Sequence, residues 1–550
     1  MLFNSYAFIF AFLPITLIGF DLIGRVGSRR AVLSWLIGCS VAFYGLWNPL
    51  SLAIIVPSIA VNYALARCMQ TRMERTSAED RVVSWLLVSG IAFNLCFLGY
   101  FKYKNFFLDS FNTVFGSHWP LAAVILPLGI SFITFQKIAF LVDVRAGAIK
   151  RFDAFDFLLF VFFFPQLIAG PIVHYREMMP QFATVSRRLE SSHLAAGLCL
   201  FALGLFKKGV LADGIAPHAT AIFAAAEEGR TIGLVDGWLG ALAYTLQIYF
   251  DFSGYSDMAI GLARMVGIRL PANFNSPLKA ASIIDFWSRW HMTLTRFLTA
   301  YAYTPLVMRL TRSRMARGKP VLTRNRPGIV AFGVLLAWPS IATMFLSGVW
   351  HGAGLTFILW GLLHGAYLVI NHAWRQWRPK WDKARYERVM KPVGCMLTFV
   401  AVVVAMVLFR AKTVAAAGHM LRAMAGQDGV TLPAAVLARL GVLGQWIAGH
   451  GMVADMSSGG TLVRALVWVV ALLLVATCLP NSLEVMRRFE PALNFRPAAA
   501  PAAGRGGAVV LPAGRLVAQL NLGWAVVFGL MLLFGTLSLN RVSEFLYWQF

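Results

Sequence analysis

Apolar runs long enough to cross a bilayer recur from one end of this chain to the other. That pattern leaves the backbone little choice. Hydrocarbon offers no water to a bare peptide group, so a crossing segment closes its own hydrogen bonds, as an α-helix does. A crossing helix takes roughly 20 apolar residues. The clearest runs are Leu2–Phe20, Ala31–Trp47, Leu50–Ala66, Val82–Tyr100, Leu121–Val142, Phe155–Val173, Leu194–Val210 and Ile232–Phe250. They continue with Gly328–Leu346, Leu355–Ile370, Val393–Leu408, Leu462–Leu479 and Leu520–Leu539, and a weaker run lies near Leu432–Ala448. With 59% hydrophobic and only 13% charged residues over 550 positions, this is not a chain of soluble domains. The expectation is an all-α polytopic membrane protein with about 11 to 14 embedded segments, several short enough to be re-entrant.

The net charge of +25 invites a nucleic-acid reading, but its distribution argues against one. Basic residues gather in short loops: Arg25, Arg29 and Arg30; Arg67, Arg72, Arg75 and Arg81; Arg145, Lys150 and Arg151; Arg187 and Arg188. The densest stretches run from Arg309 to Arg326 and from Arg375 to Lys391. Such clusters mark cytoplasmic loops, with attraction to anionic headgroups or a polyphosphate ligand as a secondary role. Leu2–Phe20 lacks a basic leader and a small-residue cleavage site, so it reads as a retained helix running inward. The six cysteines are scattered, mostly within apolar runs, and suggest neither a disulfide framework nor a metal site.

Several breaks interrupt the helical pattern. Ser347-Gly-Val-Trp-His-Gly-Ala-Gly354 places His351 in a glycine-rich break between two apolar segments. An ionisable group at that depth is costly unless it faces protein or a watery cavity, and broken backbone there needs the same shelter. Because Arg309–Arg326 and Arg375–Lys391 flank the pair of segments, His351 should lie towards the opposite face or be buried. With a helix starting near Leu355, His351 would precede a helix N-terminus, which disfavours an imidazolium. Gly348, Gly352 and Gly354 would let backbone amides approach a ligand. A neutral base beside oxyanion-stabilising amides suits acyl transfer to a hydroxyl.

A second break, Phe162–Pro171, carries two prolines and should kink. A third, Gln247–Asp257, puts Asp251 and Asp257 in an apolar run, as cation ligands or as polar contacts between helices. A fourth, Pro271–Pro277, leads into Ile284–Leu294, where Asp285, Arg289 and His291 are expected on one short interfacial or re-entrant helix. The plainer readings are a packed helix-cap residue for His351 and an interfacial anchor for His291. His364 and His372 share a helix with no ligand partner in view, and His118, His174, His193, His218, His419 and His450 look like loop or helix-end residues. No P-loop, His-Glu-x-x-His, Gly-x-Ser-x-Gly or Cys-x-x-Cys is present, which argues against nucleotide hydrolysis and against zinc or any other bound metal. Arg496–Gly507 is an Ala/Pro/Gly stretch and reads as a flexible linker.

Taken together these motifs resemble the membrane-bound O-acyltransferase family, in its bacterial polysaccharide-acetylation branch. Leu126–Gln136, Phe164–Pro171, Ile248–Ala259, Phe286-Trp-Ser-Arg-Trp-His291 and Gly348–Gly354 follow one another in family order. Phe409-Arg-Ala411, Leu479-Pro-Asn-Ser482 and Glu544–Phe550 add to a likeness with alginate O-acetyltransferases that spans nearly the whole chain. The resemblance implies a helical core over residues 1–410 holding a transmembrane tunnel, followed by C-terminal helices over 411–550 with the linker near 496–515. It implies acetyl-CoA as acyl donor, with no permanently bound cofactor. It further implies a lipid-embedded site in the bacterial inner membrane and a periplasmic acetyltransferase or polysaccharide-secretion partner. His351 matches the family's essential histidine and His291 its second motif histidine. Substrate or tunnel candidates beside them are Trp350, Gly352, Gly354, Trp287, Trp290, Asp251, Asp257 and Asn273. One departure concerns Phe297–Leu306, where alginate-type members usually carry Arg-Asp and a Gly-Gly turn, and it leaves the acceptor polymer open. D-alanyl or longer acyl transfer, a proton-coupled transporter, and a non-catalytic scaffold are the alternatives.

Overall fold

A computed structural model describes residues 2–77, 79–121, 124, 126–322, 328–378, 382–430, 432–449, 454–455, 459–493, 495, 516–519, 521–540 and 546. The linker at 496–515 and all of Glu544–Phe550 except Leu546 lie outside the described residues. Among these residues nine helices are long and apolar enough to cross a membrane. The only strands among the described residues are the two-residue parallel pair Leu432–Pro433 and Ala454–Asp455. The chain is an all-α, multi-pass membrane protein.

Polar residues between the apolar runs start each early helix. α1 spans Phe8–Val26, and Ser28 then accepts the Ala31 amide to begin α2, Arg29–Gly45. Asn48 accepts the Leu50 amide, with Pro49 in the first turn, to begin α3, Pro49–Arg75. Asp80 accepts the Val82 amide ahead of α4, Arg81–Phe115. That backbone bond, then Arg72 at 2.8 Å, holds the Asp80 carboxyl below its ordinary range. The run expected over Leu121–Val142 is helical only as α5, Ile130–Arg145, which starts after Pro127 and the left-handed Gly129.

The kink expected at Phe162–Pro171 is a full break. α6, Ala154–Phe162, stops at Phe163 (ψ 105°), and the single turn α7, Phe164–Leu167, follows with Pro165 at its start. Freed backbone groups find side-chain partners, Phe164 N on Ser40 Oγ (3.1 Å) and Ile172 N on Thr293 Oγ1 (3.1 Å). α8, Tyr175–Thr184, returns the chain to the Arg187–Arg188 loop.

The centre is the antiparallel pair α9, Ser191–Glu227, and α10, Leu234–Met265. Glycines let the two backbones touch: a Cβ on Gly204 would lie 2.5 Å from the Gly254 carbonyl oxygen, and one on Gly261 would lie 2.6 Å from that of Gly197. Asp251 and Asp257 lie in this contact, on Lys208 (2.6 Å) and Lys207 (2.8 Å). They are polar glue between helices, the plainer of the two sequence readings.

α11, Ile283–Trp287, and α12, Met292–Leu298, precede α13, Thr304–Ala316. Next come α14, Ile329–His351, α15, Leu355–Trp377, and α16, Lys383–Arg410. α17, Val414–Met424, packs against α9 and α10. The weak run near Leu432–Ala448 forms two short helices, α18 (Ala434–Arg439) and α19 (Val442–Gly449), split at the left-handed Gly441. Neither is long enough to cross. α20, Gly459–Cys478, and α21, Leu522–Leu537, complete the described helices.

Candidate active site

α14 and α15 form an antiparallel hairpin whose far ends carry the basic stretches, so His351 sits at the end away from them. The break is narrower than the octapeptide that announces it. The helix runs on through His351, and only Gly352 (φ −161°) to Gly354 are extended. His351 is therefore the last residue of a helix. The expectation that a helix N-terminus governs it is corrected, because the nearer pole is the C-terminal one, which favours positive charge. The glycines also differ from expectation. A Cβ on Gly348 would overlap the Phe357 carbonyl, and one on Gly352 would overlap the Phe357 ring. Both admit α15 rather than a ligand, and the Gly352 amide bonds back to Gly348 O (3.4 Å). Gly354 is the helix N-cap and meets no close contact.

Two side chains that the sequence did not point to secure this helix end. Lys102 Nζ donates to the carbonyls of Trp350 and His351, the latter at 3.0 Å, and Tyr103 Oη donates to the carbonyl of Val349. Three C-terminal carbonyls that lipid could not satisfy are thereby paired. An ammonium at the negative pole of α14 is favourably placed and also offsets the pull of that pole on His351.

His291 is not on a helix with Asp285 and Arg289. Those two pair at 2.7 Å, but α11 ends at Trp287, and His291 occupies the turn before α12 with φ 42°. A left-handed conformation is strained for a non-glycine residue and persists only where the surroundings enforce it. Asn273 enforces it here. Its Oδ1 takes the Thr293 hydroxyl (2.8 Å), the Thr293 amide (3.3 Å) and His291 Nδ1 (3.0 Å), while its Nδ2 donates to Ser256 (3.1 Å). Since a backbone N–H can only donate, Oδ1 is the acceptor. His291 therefore carries its proton on Nδ1 and presents Nε2 as the lone-pair nitrogen. This is a fully buried histidine, not an interfacial anchor.

The two histidines meet. Their ring centroids are 6.4 Å apart, and Trp350 lies 4.9 Å from His351 and 6.2 Å from His291. Trp360 and Phe409, each 5.1 Å from His351, and Phe252, 4.8 Å from His291, wall the pair. A stack of Trp350, Phe135 and Phe297 continues to Tyr301. Trp290 packs behind His291, stacked on Phe286 at 5.6 Å. Trp287 instead faces His364 and Trp360, at 5.1 and 5.8 Å. Of the residues nominated from sequence, Asn273, Trp350, His291 and His351 converge here. Asp251 and Asp257 stay in their lysine pairs, on a different face of α10 from Phe252.

Lys102, Tyr103, Trp360 and His364 were missed. For Trp360 and His364 a signal existed: they stand four apart on α15 beside Gly361 and Gly365, one aromatic face over small residues. For Lys102 none did, because its partners are carbonyls some 250 positions away. A further polar chain lies nearby. His174 Nδ1 bonds Tyr301 Oη (3.0 Å), which donates to Asp143 (2.8 Å), and Arg296 pairs with Glu177 (2.6 Å). Burial, reinforced by Arg296 and opposed by Glu177, pushes the His174 imidazole down to about 4.

Comparison with known proteins places these features in context. The sequence model of the membrane-bound O-acyltransferase family, MBOAT, matches residues 59–318, which include His291 but stop short of His351. A peptidoglycan O-acetyltransferase of Helicobacter pylori is 38% identical over 460 residues, covering 78% of this chain and 81% of that protein. A probable alginate O-acetylase, AlgI, of Azotobacter vinelandii is 38% identical, covering 77% of this chain and 78% of its own length. A teichoic acid D-alanyltransferase of Streptococcus thermophilus is 30% identical, covering 51% and 68%.

Proposed function

The chain belongs to the membrane-bound O-acyltransferase family and is an O-acyltransferase of the polysaccharide O-acetylation type; we propose that it moves acetyl from cytoplasmic acetyl-CoA towards an exported polysaccharide. The transfer is direct or passes through a periplasmic acetyltransferase, in the bacterial inner membrane. The observation that carries this reading is the facing pair of buried histidines, 6.4 Å apart, at the break between α14 and α15. Neither is a surplus polar residue, since one is held in a strained turn by Asn273 and the other at a helix end secured by Lys102.

In this reading an acceptor hydroxyl gives its proton to neutral His351 as its oxygen attacks the thioester carbonyl carbon. The carbon–sulfur bond then breaks, and the departing thiolate recovers the proton from the imidazolium. His291 Nε2 faces the same space and orients the hydroxyl. The aromatic walls exclude water, which would otherwise hydrolyse the thioester.

A second acyl group, D-alanyl, is favoured by the D-alanyltransferase relative. The test uses protein in lipid nanodiscs with acetyl-labelled acetyl-CoA and, separately, a D-alanyl thioester. Acetyl release or transfer by wild type, absent from folded His351→Ala, supports the proposal. Turnover of D-alanyl alone replaces the acyl group, and full activity in His351→Ala removes the assignment of that residue.

A further inference from the structure

One buried cluster shares only the Trp360 wall with the reaction centre. His364 is fully buried, and neither Nδ1 nor Nε2 has a hydrogen-bond partner among the described residues. The indole N–H groups of Trp287 and Trp360, on rings 5.1 and 4.8 Å from His364, are likewise buried and unpartnered. The uncharged rings of Phe286 and Tyr367 also pack on His364, at 6.3 and 5.7 Å. Polar atoms left bare in an apolar interior destabilise a fold, so such a concentration in three touching side chains is characteristic of a site shaped for a polar guest.

The guest can be described chemically. The two indoles only donate, while a neutral imidazole donates once and accepts once. The cluster therefore offers three donors and one acceptor in a neutral setting. A phosphate would lack a cation here, and a hydrocarbon chain would leave every nitrogen bare. A secondary amide uses most of this capacity, because its carbonyl accepts from two of the three donors and its N–H gives to the one acceptor.

Position narrows the choice further. His364 lies about 14 Å along α15 from Leu355, towards the basic end at Arg378. Trp360 touches His364 on one side and His351 on the other, at 4.8 and 5.1 Å. The cluster thus stands between the reaction centre and the end of the hairpin whose basic residues mark it as cytoplasmic. A donor entering from that end would pass His364 before its thioester reached His351.

Resting on the acyltransfer reading, we propose that His364, Trp287 and Trp360 form a subsite for the secondary amide nearest the sulfur of the acyl thioester. The subsite reads the carrier arm rather than the acyl group.

The test measures equilibrium binding of S-acetonyl-CoA, a thioether that cannot transfer its group, to the full chain in nanodiscs. It also measures turnover of two small donors: S-acetyl-N-acetylcysteamine, which keeps the amide, and ethyl thioacetate, which lacks it. Wild type is expected to bind the thioether and to prefer the amide-bearing donor about tenfold or more in kcat/KM. His364→Leu is expected to lose that preference and about tenfold in binding, chiefly as a higher KM. His364→Gln keeps a donor and an acceptor and recovers most of both. Where the leucine variant does not fold, Trp287→Phe takes its place. Unchanged binding and preference in the variants overturn the subsite, as does a loss of kcat at constant KM. Failure of wild type to bind the thioether or use any acetyl donor overturns the acyltransfer reading itself.

Discussion

Two regions of this membrane protein bury polar side chains, and they treat them in opposite ways. Between α9 and α10 the buried carboxylates are paired: Lys208 holds Asp251 and Asp213, and Lys207 holds Asp257, which also takes the Ser482 hydroxyl at 2.5 Å. Around α14 and α15 the buried polar atoms include hydroxyls and ring nitrogens, and the nitrogens of His364, Trp287 and Trp360 meet no partner among the described residues. Lysine–carboxylate pairs of this kind fix the register of two helices. Bare nitrogens cost stability and keep hydrogen-bonding capacity in reserve. Intramembrane charge alone therefore does not identify a site, because a charge can be spent on a partner helix.

That contrast predicts that substitutions in one region read out as activity and in the other as stability. The largest effect is expected for His351→Ala, with acetyl transfer falling by about 10² to 10⁴-fold and little change in the thermal midpoint in nanodiscs. Next is Lys208→Met, which leaves Asp251 and Asp213 buried without their cation. It should cost about 3–5 kcal/mol, seen as a lower melting temperature and poor extraction, and Asp251→Asn in the same chain should recover part of it. If the two variants exchange these signatures, the division is wrong.

Smaller effects sharpen the boundary. Asn273→Leu removes the acceptor that fixes the His291 tautomer and turn, and should slow turnover by about tenfold to a hundredfold. Lys102→Met frees the α14 carbonyls and should lower kcat by about tenfold, with Lys102→Arg in between, read in the same labelled assay. The smallest effect concerns pH. His174 is neutral in the fold down to about 4, against an ordinary 6.5. Between these values the unfolded chain binds more protons, so stability is complete above 6.5 and declines as pH falls towards 4. The wild-type melting temperature should drop over that window more than that of His174→Gln, and parallel curves would refute it.

Much was legible beforehand, and each success has a local cause. The crossing helices followed from run length, whereas the caps at Ser28, Asn48 and Asp80 came only with the structure. The place of His351 in its hairpin followed from the basic stretches on either side. The errors were about contact. His291 was assigned to a helix because its neighbours have helical spacing, yet Asn273, eighteen positions earlier, pulls it into a left-handed turn. Gly348 and Gly352 suggested room for a ligand, and Phe357 fills it. His364 was set aside for want of a partner in sequence, and in the fold that same want makes it informative.

The sequence by itself determined that this chain lives in a membrane and that histidines occupy its breaks. Burying apolar surface and closing local hydrogen bonds are short-range demands, written in runs of neighbouring residues. Tertiary structure alone decided which aspartates are satisfied, which ring nitrogens are not, and that Lys102 ends on the helix carrying His351. Those outcomes depend on distances between residues far apart in the chain, and only packing sets them.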